Sequence, residues 1–274
     1  MLSTSTPLYH VVLKFLFKII VHITYGFEFS CGEAVYKPDL NGNYDIAAPF
    51  SWPWQVSLQS KSGIAFSHIC GGTLITPLWI LTAGKCINYN TKYRIVLGKY
   101  DLTFTEGSEQ FIDPTKIIIH PINLSHVVLH RFDIALVKLS WPVVFTDKVR
   151  LGCLPGPGEA LPHNYTCVVT GWGKLNGTLL QSLLPAIDYE TCSRADWWGT
   201  TVVDSMVCVG GFEKTACEGD PGGPLNCIGI DGRWYIHGVG SFIGPVNCDV
   251  PGKPTVYTRV SAFNNWLNEN LKQY

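Results

Sequence analysis

Ten cysteines are the first residues in this chain whose chemistry constrains a reading: Cys31, Cys70, Cys86, Cys153, Cys167, Cys192, Cys208, Cys217, Cys227 and Cys248. They are even in number, none forms a Cys-x-x-Cys pair and no His-Glu-x-x-His run is present, so a disulfide framework fits better than a zinc site. Such a framework forms in an oxidising compartment. Three glycan acceptor sequences, at Asn123, Asn164 and Asn176, belong to the same secretory route. Spacing alone does not say which cysteine bonds which. Two further runs set polar groups beside structural residues, Gly84-Lys85-Cys86 and Gly219-Asp220-Pro221-Gly222-Gly223. Taken alone, they read as a solvated lysine and an ordinary turn.

The elements that must position these residues follow from composition and pattern. At about 150 residues per domain, 274 residues hold one or two domains with a sizeable core. A hydrophobic share of 46%, a charged share of 15%, 27 glycines and 17 prolines exclude a disordered chain or coiled coil and favour short strands joined by turns. The formal charge of -1 supplies no field for nucleic acid or anionic lipid. From Ser51 onward, alternating runs such as Trp54, Val56 and Leu58 predict strands. Others are expected at Tyr93 to Leu97, Lys116 to Ile119, Ile134 to Leu139, Cys167 to Gly171, Trp234 to Val239 and Thr255 to Thr258. The spacing suits antiparallel barrels. The one helical stripe is terminal, with Ser261 as the expected cap and Phe263, Trp266, Leu267 and Leu271 on its apolar face.

The front of the chain is less regular. An apolar stretch from Leu8 to Phe29 is interrupted by Lys14, Lys18 and His22, which with His10 recur every fourth residue. A degenerate signal peptide is the expected reading, against a basic amphipathic segment on a membrane surface or an untranslated or misassigned start. A spanning helix is disfavoured, because each lysine near its middle would cost about 2.5 to 3.5 kcal/mol.

Several long motifs occur in order: Ser51-Trp52-Pro53-Trp54-Gln55-Val56-Ser57-Leu58-Gln59, Cys70-Gly71-Gly72-Thr73-Leu74-Ile75, Trp79-Ile80-Leu81-Thr82-Ala83-Gly84-Lys85-Cys86, Asp133-Ile134-Ala135-Leu136 and Gly219-Asp220-Pro221-Gly222-Gly223-Pro224-Leu225. They resemble the chymotrypsin family over roughly residues 31 to 274. With Trp197-Trp198-Gly199 and Lys253-Pro254-Thr255-Val256-Tyr257-Thr258, the chain is most similar to pancreatic elastases of the elastase 3 type. The resemblance implies an all-β fold of two six-stranded antiparallel barrels, at about residues 46–150 and 151–260, and a C-terminal helix at about 261–272. Ahead of the homology domain, 46–274, would lie a signal-like segment, 1–30, and a pro-segment, 31–45.

The family's mechanism needs a serine nucleophile, a histidine base and a buried aspartate that orients it. Only Asp133 matches. The histidine position carries Lys85 and the serine position Pro221, which has neither a hydroxyl nor the backbone N–H that would share the oxyanion hole with Gly219. The expectation is a catalytically inactive homologue that binds peptides, inhibitors or proteases, with a serine endopeptidase as the alternative and the product of a decaying gene as a second. Lys85 is expected either to bring its ammonium to Asp133 or to snorkel out of the cleft.

The resemblance also implies a precursor cleaved before a hydrophobic start, yet the matching position, Leu40, precedes Asn41-Gly42-Asn43-Tyr44. Asp220 would then pair with His68 in a precursor-like state. The implied disulfides are Cys31–Cys153, Cys70–Cys86, Cys167–Cys227, Cys192–Cys208 and Cys217–Cys248. Thr215, Ile243 and Thr255 would line the specificity pocket, with Ser241-Phe242-Ile243 as the strand offered to a peptide. A small apolar side chain would fit it. Calcium is doubtful, because Lys99 occupies the first ligand position and Asp101, Glu106 and Glu109 could pair with it. No cofactor, metal, nucleic acid or membrane span is expected of this secreted, monomeric chain.

Overall fold

The computed structural model describes residues 30–41, 44–121, 132–173, 177–211, 220–242 and 250–272. Cys31–Tyr274 forms one compact unit. Its first sheet contains β2 (Gln55–Ser62), β3 (Ala65–Thr76), β4 (Trp79–Thr82), β5 (Tyr93–Leu97), β6 (Gln110–Ile112), β7 (Pro114–Ile119) and β8 (Ala135–Leu139), after a short β1 (Tyr44–Ile46). These strands run antiparallel in the order β6-β5-β2-β3-β4-β8-β7. β6 and β7 are halves of one strand broken at Asp113. One half pairs with β5 and the other with β8, which curls the sheet.

The second sheet holds β9 (Thr166–Gly171), β10 (Leu180–Ile187), β11 (Met206–Val209), β12 (Pro224–Ile228), β13 (Trp234–Phe242) and β14 (Thr255–Arg259). Because β9 pairs with both β10 and β12, these six strands close into a barrel, and β1 extends it at β10. The fold is the all-β, trypsin-like arrangement that the motifs imply.

Alternation explains the packing of β2. Trp54, Val56 and Leu58 are buried in the first core, whereas Gln55 and Ser57 are buried on the opposite face. That face meets the second barrel, where Gln55 Oε1 accepts a hydrogen bond from Thr170 Oγ1 at 2.7 Å. That bond offsets the cost of burying the Gln55 carbonyl oxygen. Two indoles extend the same junction. Trp52 Nε1 donates to Gln181 Oε1 at 2.9 Å, and Trp54 Nε1 donates to Asn226 Oδ1 at 2.7 Å.

Four disulfides staple the unit: Cys31–Cys153, Cys70–Cys86, Cys167–Cys227 and Cys192–Cys208. Each contributes roughly 2–4 kcal/mol by restricting the unfolded chain. Cys217 and Cys248 lie outside the described residues.

The terminal helix spans Asn264–Lys272 and follows a 3₁₀ turn at Val260–Phe263. Phe263 and Leu267 are buried, with Trp266 and Leu271 packed beside them. Ser261 is not its cap. The serine sits inside the 3₁₀ turn, buried, and its hydroxyl donates to the Glu159 carbonyl. That distant partner removes the hydroxyl from helix capping. Among the described residues, no helix is long and apolar enough to cross a membrane.

Candidate active-site cleft and its supports

Asp133 lies just before β8 and is fully buried. Burying a carboxylate requires donors, and three groups meet this residue. The Lys85 backbone N–H donates to Oδ1 at 2.8 Å, the Ser241 hydroxyl donates to Oδ2 at 2.8 Å, and Thr258 Oγ1 donates to the Asp133 carbonyl at 2.9 Å.

Lys85 lies in a one-turn 3₁₀ helix, Gly84–Cys86, that follows β4 and is tied to β3 by the Cys70–Cys86 disulfide. The turn aims its amide inward. The side chain is exposed, and Asp133 has no ion-pair partner among the described residues. The expected pairing of the Lys85 ammonium with this aspartate is therefore not formed. An amide and a hydroxyl already satisfy the carboxylate, and the ammonium lies away from it along its flexible stem, partly shielded from water by the protein. Lost hydration on the protein side lowers the Lys85 pKa below the usual lysine value, while Asp133 pulls it partly back.

Pro221 stands in the turn ahead of β12. Its carbonyl accepts the Gly71 N–H at 2.8 Å, and the next amide, Gly222 N–H, donates to the Gly240 carbonyl at 2.8 Å. Gly222 has φ 78°, a left-handed conformation natural to glycine. A Cβ on Gly71 would come within 2.8 Å of Gly223 Cα, so the two barrels approach closely here. Backbone contacts thus hold this turn in place, and a proline fits because its missing N–H is not used in them.

Behind the turn, Asp220 is buried and receives the Trp172 N–H on Oδ2 at 2.9 Å and the Gly173 N–H on Oδ1 at 3.0 Å. His68 Nε2 stands 3.2 Å from Asp220 Oδ2. The other ring nitrogen, Nδ1, is 2.8 Å from Ser57 Oγ. The ring also packs edgewise on Trp172, with centroids 5.1 Å apart. The structure brings His68 and Asp220 together. Sequence reasoning missed Ser57 and Trp172, since neither neighbours this pair along the chain.

Ahead of β1, the segment from Cys31 is fastened by its disulfide, by Gly32 N–H to the Leu151 carbonyl at 2.7 Å, and by Trp234 N–H to the Gly32 carbonyl at 3.0 Å. Tyr36 packs on Phe50 with centroids 6.3 Å apart.

Ser241 and Thr255 are buried. Thr215, Gly219 and Ile243 lie outside the described residues, as does the side chain of Phe242. Asn164 is exposed, with φ 63°, while Asn123 and Asn176 lie outside the described residues.

At the loop between β5 and β6, Lys99 Nζ lies 2.7 Å from Glu109 Oε1 and 3.4 Å from Glu106 Oε2, and it donates to the Phe104 carbonyl. Glu106 accepts the N–H groups of Tyr100 and Asp101. Asp101 does not join the lysine; it accepts from Thr103 Oγ1 and from Thr178 Oγ1. Burial raises the Glu109 carboxyl pKa, but its hydrogen bonds from Lys99 and the Glu106 N–H outweigh this and hold it down to about 2.

A model of the Trypsin family matches residues 43–267. This chain belongs to that family, in its elastase-like branch. It is 48% identical to Proproteinase E of Bos taurus over 237 residues, which cover 84% of this chain and 94% of that protein. It is 47% identical to Chymotrypsin-like elastase family member 3A of Homo sapiens, with 83% and 87% covered. Chymotrypsin-C of Bos taurus is 45% identical, with 89% and 94% covered.

Proposed function

We propose that this elastase-like chain is catalytically inactive, is secreted, and is held in a precursor-like state in which its cleft binds peptide, as a free peptide or within an inhibitor or another protease. The observation that carries the reading is Pro221 at the position of the nucleophile. A proline has no hydroxyl to attack a carbonyl and no N–H to stabilise the oxyanion that would form. Loss of triad members costs on the order of 10⁶ in rate. Loss of one oxyanion donor costs on the order of 10² to 10³, although the two factors do not multiply. Lys85 supplies no substitute base, because its amide rather than its amine meets Asp133.

The precursor-like state rests on two further observations. Asn41-Gly42-Asn43 offers no hydrophobic start, and Asp220 already has His68 as its neighbour. Secretion is supported by the disulfides and by an exposed acceptor at Asn164. Strand addition at Ser241-Phe242-Ile243 remains a route to peptide capture without chemistry. The intact setting of Asp133 favours one other reading, a serine endopeptidase of narrow activity. A decaying gene is disfavoured by a framework that keeps four disulfides and a buried Asp133 with donors on both carboxylate oxygens.

Hydrolysis of peptide anilides with small apolar residues before the scissile bond, measured with and without trypsin pretreatment, separates these readings. The expected result is no release above background, together with saturable binding of the same peptides. Release that scales with protein would establish the endopeptidase.

A further inference from the structure

Family calcium sites are built from oxygen ligands, and the loop between β5 and β6 is where this fold would place one. The residues here do not fit that ion. Lys99 holds an ammonium among Glu106, Glu109 and the Phe104 carbonyl, and its side chain is 7% exposed against 8% and 1% for the two glutamates. A dication would have to displace a buried cation that already compensates the carboxylates.

The loop does not end at the lysine. Tyr100, next in the chain, accepts the Trp172 indole N–H on its carbonyl at 2.9 Å and the Leu179 N–H at 3.0 Å. Leu102 N–H donates to the Gly177 carbonyl at 2.8 Å, and Thr178 Oγ1 donates to Asp101 Oδ2 at 2.8 Å. Trp172 is fully buried, and besides its indole contact to Tyr100 it gives its backbone N–H to Asp220 and its ring face to His68. One tryptophan therefore touches the ammonium-closed loop and the His68–Asp220 pair.

We infer that Lys99 is a built-in cation that replaces a loop metal, and that through Tyr100 and Trp172 it braces the His68–Asp220 contact independently of calcium. The second half rests on the precursor-like reading and extends it: the brace is covalently part of the chain, so no change in ion concentration releases it.

The test compares thermal unfolding of wild type, Lys99→Met and Lys99→Glu in calcium and in chelator, with the His68 imidazole followed by NMR. Wild type should melt at the same temperature in both conditions. Lys99→Met, which leaves two buried carboxylates uncompensated, should melt lower by roughly 6 °C or more. Lys99→Glu should melt low in chelator and recover in calcium, because it offers three carboxylates and a carbonyl to the ion. The His68 resonances should shift in Lys99→Met and return in calcium-loaded Lys99→Glu. A calcium-dependent wild-type melt overturns the replacement of the metal. A fall in melting temperature with His68 unmoved overturns the brace alone. A wild-type His68 that shows no carboxylate contact refutes the precursor-like reading and the brace with it.

Discussion

Two lysines stand where the family resemblance implies other groups, and they meet their carboxylates in opposite ways. Lys99 turns its ammonium inward between Glu106 and Glu109, while Lys85 offers Asp133 only its amide and sends its side chain to solvent. The difference lies in what each carboxylate already has. Asp133 has its oxygens filled by the Lys85 N–H and the Ser241 hydroxyl, so an ammonium would gain little and lose its hydration. On Glu109 the Glu106 N–H and the Lys99 ammonium meet the same oxygen, and the other oxygen is buried without a hydrogen bond. A like residue thus becomes structural in the loop and surplus in the cleft.

That contrast can be broken by removing each carboxylate and each ammonium in turn. Asp133→Ala leaves an amide and a hydroxyl buried without a partner, each of which had bonded to a charged group. The expected loss is roughly 3–5 kcal/mol in urea unfolding, and a loss below about 1 kcal/mol would mean that the buried carboxylate is not the organising group. Acid titration sharpens the same comparison at Glu109. Its folded pKa, about 2, lies below the unfolded value of 4.5. Its contribution is therefore fully present above that unfolded value and is lost as pH falls toward 2. About 2–3 kcal/mol should disappear across this window in wild type, and far less in Lys99→Met. The smallest effect is expected at the cleft lysine. Lys85→Met should change stability by no more than about 0.5 kcal/mol, and a double-mutant cycle with Asp133→Asn should show no coupling. Strong coupling would place the ammonium at the aspartate after all.

Much of the architecture was legible because it is written in local signals. Alternating runs with glycine and proline turns mark the strands, and long motifs in order specify how the two barrels join. The loop lysine was legible in part: the family resemblance put a cation at a ligand position beside three acids, of which Glu106 and Glu109 pair with it and Asp101 does not. What escaped the sequence depends on partners distant in the chain. Ser261 precedes an apolar stripe as a cap would, but Glu159 takes its hydroxyl. Lys85 sits at the position facing Asp133, but whether its amide or its amine makes the contact is decided by the turn geometry of Gly84–Cys86. Ser241 reads as part of a peptide-binding strand and is also the second donor to Asp133. Trp172 reads as core, and only the fold reveals that it lies between the loop and Asp220.

The central claim is that this cleft keeps the framework of a serine protease without its nucleophile. Labelling of the purified, disulfide-intact protein with a fluorophosphonate probe, before and after trypsin, tests it most directly. The account predicts no labelled band in either state, with a Pro221-containing peptide recovered unmodified by mass spectrometry. A covalent adduct on any cleft residue would contradict it.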